Sequence, residues 1–392
     1  MTKGLFTQSE YQQRIERTQK KIAELGADYL VVPDPANIFY LTGFDAYSFY
    51  NPQLLLVPRE GALAFFCRGS DASSAWLAAE LREEQVFGYS DTYVQKADVH
   101  PMDWVAQTIR PWLPVKAVIA VESEAAFYTL RAHKALVEGL GGSARVIEVP
   151  NVINRLRAIK SPAEIALMRD AGKITSSMFE AAFRSIRPGV RECDAVAEIY
   201  AAQLRGVEGA GGTYSAIPPL LMAGDNTSFP HVPWSDRPFA DNDPIALEIA
   251  GSRYRYHVPL TRTLHTGQPP AELQKLAEIV GEGLEAALSV IRPGAECQDP
   301  ALAWNSVIKR HGLSKSTRIG YPIGLGFPPD WGEQTMSFLA GDHTPLEAGM
   351  TWHVMIGMWL DTGGYSISET VLVTENGAEC LASVPRGLLT VG

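Results

Sequence analysis

Three consecutive pieces of the chain decide how it is read: Phe229-Pro230-His231-Val232-Pro233-Trp234, Asp243-Pro244-Ile245-Ala246-Leu247-Glu248-Ile249-Ala250 and Tyr254-Arg255-Tyr256-His257-Val258-Pro259-Leu260-Thr261-Arg262-Thr263-Leu264. The first reads as a loop, since Pro230 and Pro233 each fix φ and remove a backbone donor. A loop histidine titrates near neutral pH and can serve as a general base. The plain alternative for His231 is a surface residue without a role. The second piece reads as an apolar strand interrupted by Glu248. A carboxylate there must be paired or face a cleft, because burying it alone is costly. Arg253, Arg255 and Arg262 are the partners that a structural role would use. The third piece is a further strand, whose period of two puts His257 and Pro259 on one face.

The second half of the chain contains a repeat. Ser161-Pro162-Ala163-Glu164-Ile165 recurs loosely as Pro269-Pro270-Ala271-Glu272-Leu273, and Ile186-Arg187-Pro188-Gly189 recurs as Ile291-Arg292-Pro293-Gly294. Each copy reads as helix, Arg-Pro-Gly turn, second helix and strand pair. Ser161 is placed to cap the first helix, with Pro162 at its first position and Glu164 closing a capping box, and the helix runs to about Ser185. Two such halves around a pseudo-twofold leave a cleft between them, lined by Phe229–Leu264 from one and Tyr321–Glu369 from the other.

The first half reads differently. Ser9–Leu25 is an amphipathic helix presenting Tyr11, Ile15 and Ile22, stopped by Gly26. Strands follow at Asp28–Val32, Gln53–Val57 and Ala62–Cys67, and alternating patterns continue to about Val149, as in a small α/β domain. The chain of 392 residues suits two domains. Its 46% hydrophobic and 20% charged residues are those of a globular enzyme. A formal net charge of −10 argues against nonspecific binding to nucleic acid or an anionic membrane. Cys67, Cys193, Cys297 and Cys380 form no Cys-x-x-Cys and read as free thiols in a reducing compartment. With no signal core and no long apolar run, a cytoplasmic location is expected.

These pieces resemble the creatinase, prolidase and aminopeptidase P superfamily. The resemblance implies an α/β N-terminal domain over 1–156. It also implies an α+β pita-bread catalytic domain over 157–392 with an internal pseudo-twofold repeat. That family binds two metal ions through five side chains. In its register, this chain has Glu248 and Pro259 where the family has aspartates. Tyr321 in Gly320-Tyr321-Pro322-Ile323-Gly324-Leu325 stands at the metal-site histidine, Met355 at a glutamate, and Ser368 at the last ligand, one place before Glu369. One carboxylate does not supply the converging ligands that a divalent metal needs, so no metal and no cofactor is expected. Pro230-His231 matches the family's substrate-facing Pro-His, and in creatinase, a metal-free member, that histidine is the proposed proton shuttle.

Within the superfamily the chain resembles the ectoine hydrolases. Glu248-Ile249-Ala250-Gly251, Tyr256-His257-Val258-Pro259-Leu260, Pro328-Pro329-Asp330-Trp331-Gly332-Glu333 and Glu347-Ala348-Gly349-Met350-Thr351-Trp352-His353 carry that likeness. It implies a hydrolase that opens the ring of ectoine or 5-hydroxyectoine. His231 and Glu248 would be catalytic, with His257, Tyr321, Trp331, His353 and Glu369 around the substrate. Trp331 is expected on a Pro-rich loop, as an aromatic wall. Strict alternation turns Glu369 away from Ser368, so its place in the site requires a bulge or a strand end. The family's homodimers imply a partner subunit, with Tyr47 to Tyr50 and Arg68 as contact residues. Other readings are an amidinohydrolase acting on a guanidino compound such as creatine, an Xaa-Pro peptidase-like metalloenzyme, and a binding module without catalysis.

Overall fold

The Ser161 hydroxyl accepts the Glu164 amide at 3.2 Å while the Glu164 carboxylate accepts the Ser161 amide at 2.9 Å. This reciprocal cap satisfies two amides that a helix start leaves orphaned. It opens the long helix that begins the second half. The computed structural model describes residues 3–360 and 363–392, and the chain divides into two compact units, Met1–Arg157 and Ala158–Gly392.

The first unit runs α1 (Gln8–Glu24), β1 (Tyr29–Val32), α2 (Pro35–Thr42), β2 (Leu54–Pro58), β3 (Ala64–Arg68), α3 (Ala72–Ala78), β4 (Val86–Tyr89), α4 (Pro101–Ile109), β5 (Ala117–Glu122), α5 (Leu130–Leu140), β6 (Ala144–Val149) and α6 (Val152–Arg157). Its strands form one mixed sheet in the order β4-β3-β2-β1-β5-β6. The inner strands read as apolar runs because both of their faces are covered. In α1 the buried stripe is Tyr11, Arg14, Thr18 and Ile22, with Ile15 only half-buried. The Arg14 guanidinium stacks over Phe6 at 4.1 Å and Tyr40 at 4.3 Å, which lets a cation occupy a core position. Tyr47 and Tyr50 are 63% and 65% exposed, whereas Arg68 is engaged by the Asp91 carboxylate at 2.7 Å.

The second unit contains the repeat. Its first half is α7 (Pro162–Ser185), α8 (Glu192–Arg205), β7 (Leu220–Ala223), β8 (Pro244–Arg253) and β9 (Tyr256–Thr266). Its second half is α9 (Ala271–Val290), α10 (Gln298–Arg310), β10 (Gly320–Phe327), β11 (Asp330–Gly332), β12 (Thr351–Leu360) and β13 (Gly363–Thr374), followed by β14 (Gly377–Cys380) and β15 (Leu389–Val391). The sheet order β14-β13-β12-β10-β9-β8-β7 joins the halves, with β11 on β10 and β15 on β9. Helices α7 and α8 pack Ile174, Met178, Phe179 and Ile199 against β8 and β9. Helices α9 and α10 pack Val280, Leu284 and Trp304 against Val354, Ile356 and Val371 of β12 and β13. The pita-bread architecture follows from this duplication, since each helix pair covers the outer face of its own strands.

The β8–β9 hairpin turns on Tyr254 and Arg255, both left-handed, at φ 46° and 70°. Such turns usually take Asn-Gly. Here Arg255 lies 3.6 Å over the Tyr214 ring and Arg253 lies 4.3 Å over Tyr254, contacts that offset the backbone strain.

The stretch Pro328-Pro329-Asp330-Trp331-Gly332 is not the exposed loop expected from its prolines. It is a tight turn leading into β11, with Trp331 wholly buried. A buried ion pair holds the end of this strand: Lys160 Nζ lies 2.8 Å from both Glu333 carboxylate oxygens and also donates to the Ala158 carbonyl at 3.1 Å. Gly324 lets it fit, because a Cβ there would come within 2.8 Å of Lys160 Cε and 3.0 Å of Glu333 Oε1. Removing one member of such a pair strands the other charge. Glu333→Ala is therefore expected to lower unfolding free energy by about 3–5 kcal/mol in denaturant titration.

Candidate active site

On β8 and β9 the register opposes Glu248 to Thr261 and Ala250 to Pro259, so Glu248, Thr261, Pro259 and His257 share one face. On the other half, Tyr321 opposes His353 and Met355 opposes Ser368. The two faces meet where the halves join. The Thr370 hydroxyl donates to the Pro259 carbonyl at 2.6 Å, and the Thr261 amide donates to Ser368 Oγ at 2.6 Å.

Beside the junction, the second half holds a chain of hydrogen bonds. Trp331 Nε1 donates to the Tyr321 hydroxyl at 3.0 Å, the Tyr321 hydroxyl lies 2.9 Å from His353 Nδ1, and His353 Nε2 lies 2.7 Å from Ser368 Oγ. His353 is fully buried, and burial, with the Arg318 guanidinium adding to it, pushes its pKa down to about 3. The imidazole is neutral at any working pH. Arg318 stacks over the Tyr321 ring at 4.6 Å. Burial, reinforced by the nearby Glu248 carboxylate, raises the Tyr321 pKa, so the phenol keeps its proton.

Glu248 is buried on this face. Desolvation pushes its pKa up to about 7, opposed only by the Thr261 side chain. No arginine pairs with it: Arg253 donates to the Gly211 carbonyl, Arg255 stacks on Tyr214, and Arg262 turns to the opposite face. Among the described residues Glu248 has no ion pair.

His257 is fully buried with its ring centre 6.1 Å from that of Trp331. Its Nε2 accepts the Ala216 amide at 2.9 Å, which puts the proton on Nδ1. Burial lowers its pKa to about 4, the Arg255 charge adds to this, and backbone groups of Gly324 and Arg255 oppose it. Nδ1 makes no hydrogen bond of normal geometry among the described residues.

Two of the expected site residues stand apart. Glu369 opposes Val354 and points to the other side of the sheet from Ser368. No bulge turns it inward, and its carboxylate accepts from Arg262 at 2.7 Å and Arg386 at 2.9 Å. It is a brace behind the site, which corrects its expected role at the substrate. His231 lies on an exposed turn with φ 65° and makes none of the cluster's hydrogen bonds. Its neighbour Val232 packs on Leu220, Met222 and Ala246, which lie on the face that carries Glu248.

Three residues do work that the sequence did not assign to them. Ser368 anchors the histidine, and Thr261 supplies the amide that binds Ser368. Arg262 is fully buried and spends its donors on the carbonyls of Thr261, Ser368, Val384 and Pro385 and on Glu369. It fixes from behind the two residues whose front sides build the site. The signal was present: Thr261 and Arg262 belong to the Thr-Arg-Thr of the opening stretch, and Ser368 holds a ligand register.

Residues 166–375 match metallopeptidase family M24, and residues 14–159 match the creatinase/prolidase N-terminal domain. The chain belongs to family M24 and is a hydrolase of that family. It is 40% identical to ectoine hydrolase from Halomonas elongata, over 98% of each chain. It is 39% identical to an uncharacterized hydrolase/peptidase of Sinorhizobium fredii, again over 98% of each. Among solved structures it resembles a prolidase from Thermococcus sibiricus (TM-score 0.83, 21% identity, 97% of this chain and 99% of that one). It also resembles an X-Pro aminopeptidase from Thermotoga maritima (TM-score 0.80, 22% identity, 96% and 99%). These likenesses show the shared fold. In this chain the five positions that the resemblance matches to metal ligands carry Glu248, Pro259, Tyr321, Met355 and Ser368, a donor set that does not fit a pair of divalent ions. Among the described residues no three His, Cys, Asp or Glu side chains stand together as a metal site.

A pH test follows from Glu248. Its folded pKa lies above the ordinary value of 4.5, so the folded chain holds a proton that the unfolded chain has lost. Stability therefore falls as pH rises from about 4.5 to about 7, by roughly 3 kcal/mol if this group acts alone. Glu248→Gln, which mimics the protonated form, is expected to remove that part of the decline in unfolding free energy measured at pH 5 and pH 8.

Proposed function

We propose that the chain hydrolyses a cyclic amidine that carries a carboxylate, ectoine, to an N-acetylated 2,4-diaminobutyrate, without a metal ion. The observation that carries this reading is a buried carboxyl, Glu248, with no ion pair among the described residues and a pKa near neutrality. A site of that kind gains most from a cationic planar ligand, which supplies the missing charge and removes the desolvation cost. An amidinium meets this requirement. Its central carbon is already electron-poor, so hydrolysis does not call for a metal to polarise it. The 40% identity to ectoine hydrolase over nearly the whole chain supports the same choice.

In this reading Glu248, ionised by the bound cation, engages the amidinium carbon by ion pairing or by attack. One water is consumed, one ring C–N bond breaks, the departing nitrogen takes a proton, and the oxygen stays on carbon as an acetamide. His231 moves protons to or from water and the departing amine. Tyr321 donates a hydrogen bond, while His257, His353 and Trp331 hold the ring in place.

Turnover of ectoine, 5-hydroxyectoine, creatine and an Xaa-Pro dipeptide, followed by proton NMR, tests the proposal. Ectoine is expected to be opened, and Glu248→Gln to lower kcat by about 10²-fold or more. Cleavage of the dipeptide with ectoine untouched, or full kcat in Glu248→Gln, would refute it.

A further inference from the structure

The hydrogen-bond chain through His353 is closed at both ends by groups that can only donate. Trp331 Nε1–H donates to the Tyr321 oxygen, and the Thr261 backbone N–H donates to Ser368 Oγ. Between them lie a phenol, a neutral imidazole and a serine hydroxyl, joined by two links at 2.9 and 2.7 Å. These three groups hold three protons, and the two links use two. One proton is left over, and the tautomer of His353 decides where it goes.

If Nε2 carries the imidazole proton, Tyr321 donates to Nδ1, Nε2 donates to Ser368, and the surplus proton belongs to Ser368. Ser368 is fully buried, and among the described residues its Oγ meets only His353 and the Thr261 amide. A hydroxyl proton there would point at no acceptor, which leaves a desolvated donor unsatisfied. If Nδ1 carries the proton, Ser368 donates to Nε2 and Nδ1 donates to Tyr321. The surplus proton then belongs to Tyr321, which is only half-buried and stands close to Glu248.

We propose that Ser368 and His353 are positioning residues that lock Tyr321 as an outward hydrogen-bond donor beside Glu248. Both lone pairs of the Tyr321 oxygen are occupied, one by Trp331 and one by His353. The phenol has no acceptor capacity left and cannot serve as a base in this state. It donates to the substrate atom that gains electron density as the attacked carbon becomes tetrahedral, the role of an oxyanion-type donor. The serine at a former metal-ligand register thus acts at a distance, by fixing one imidazole tautomer.

This inference deepens the proposed function, but its first test needs no substrate. Nitrogen NMR of protein labelled at the histidine side chains, with His353 assigned through His353→Gln, should show the proton on Nδ1 and an accepting Nε2. A proton on Nε2 overturns the proposal, whatever substrate is cleaved. The second test uses whichever compound the wild type turns over. Tyr321→Phe is expected to lose about 10²-fold in kcat with little change in KM. Ser368→Ala is expected to lose about tenfold, a smaller loss because it acts through His353, and Ser368→Thr, which keeps the hydroxyl, to restore most of it. Full kcat in Ser368→Ala, or a loss carried by KM alone, contradicts the positioning role.

Discussion

Glu248 sits on an inner strand face, surrounded by Thr261, Tyr321 and buried apolar side chains, with no cation paired to it among the described residues. Desolvation pushes its pKa up to about 7. A carboxyl in such a place is a liability for folding unless a ligand arrives with the missing charge. The rest of the site is arranged around that condition. His353 and His257 are held neutral by burial, so neither competes as a counter-ion. Tyr321 and Trp331 supply hydrogen bonds without charge.

Rigidity comes from behind. Arg262 uses its planar fork to tie the carbonyls of Thr261 and Ser368 to the Glu369 carboxylate, and Arg386 joins the same carboxylate. This buried network lies on one side of the strands and the uncharged network on the other. The separation is physical: strands present alternate residues to opposite faces, so Ser368 and Glu369, adjacent in sequence, serve different functions. Lys160 and Glu333 brace the strand that carries Trp331 in the same manner.

Much of this was legible in the sequence, and the failures have identifiable causes. The Ser161 capping box, the repeated Arg-Pro-Gly turns and the apolar strand around Glu248 each state their structure locally. The pita-bread fold and the substitutions at the five ligand positions were implied by the resemblance to the creatinase and prolidase superfamily. Trp331 was misplaced because the Pro-Pro pair reads as an exposed loop, while pairing of β11 with β10 draws the indole inside. Glu369 was drawn into the site by its nearness to Ser368, against the alternation that puts it opposite Val354. Ser368, Thr261 and Arg262 stand in stretches that the sequence singles out, but their roles depend on hydrogen bonds between β9 and β13, about a hundred residues apart, which no local pattern states. The left-handed backbone of His231 has no signature in Pro-His-Val-Pro at all.

Kinship with metallopeptidases puts weight on the donor chemistry of the five positions matched to metal ligands. A carboxylate, a proline, a phenol, a thioether and a hydroxyl are a poor set for zinc, iron or manganese, and the single carboxylate and neutral imidazoles suit an organic cation instead. Elemental analysis of freshly purified, active protein, paired with activity before and after exhaustive chelation, tests this most directly. Well under one transition-metal ion per chain and unchanged turnover after chelation are expected. One or two ions per chain, with activity lost on chelation and regained on adding the metal back, would contradict it.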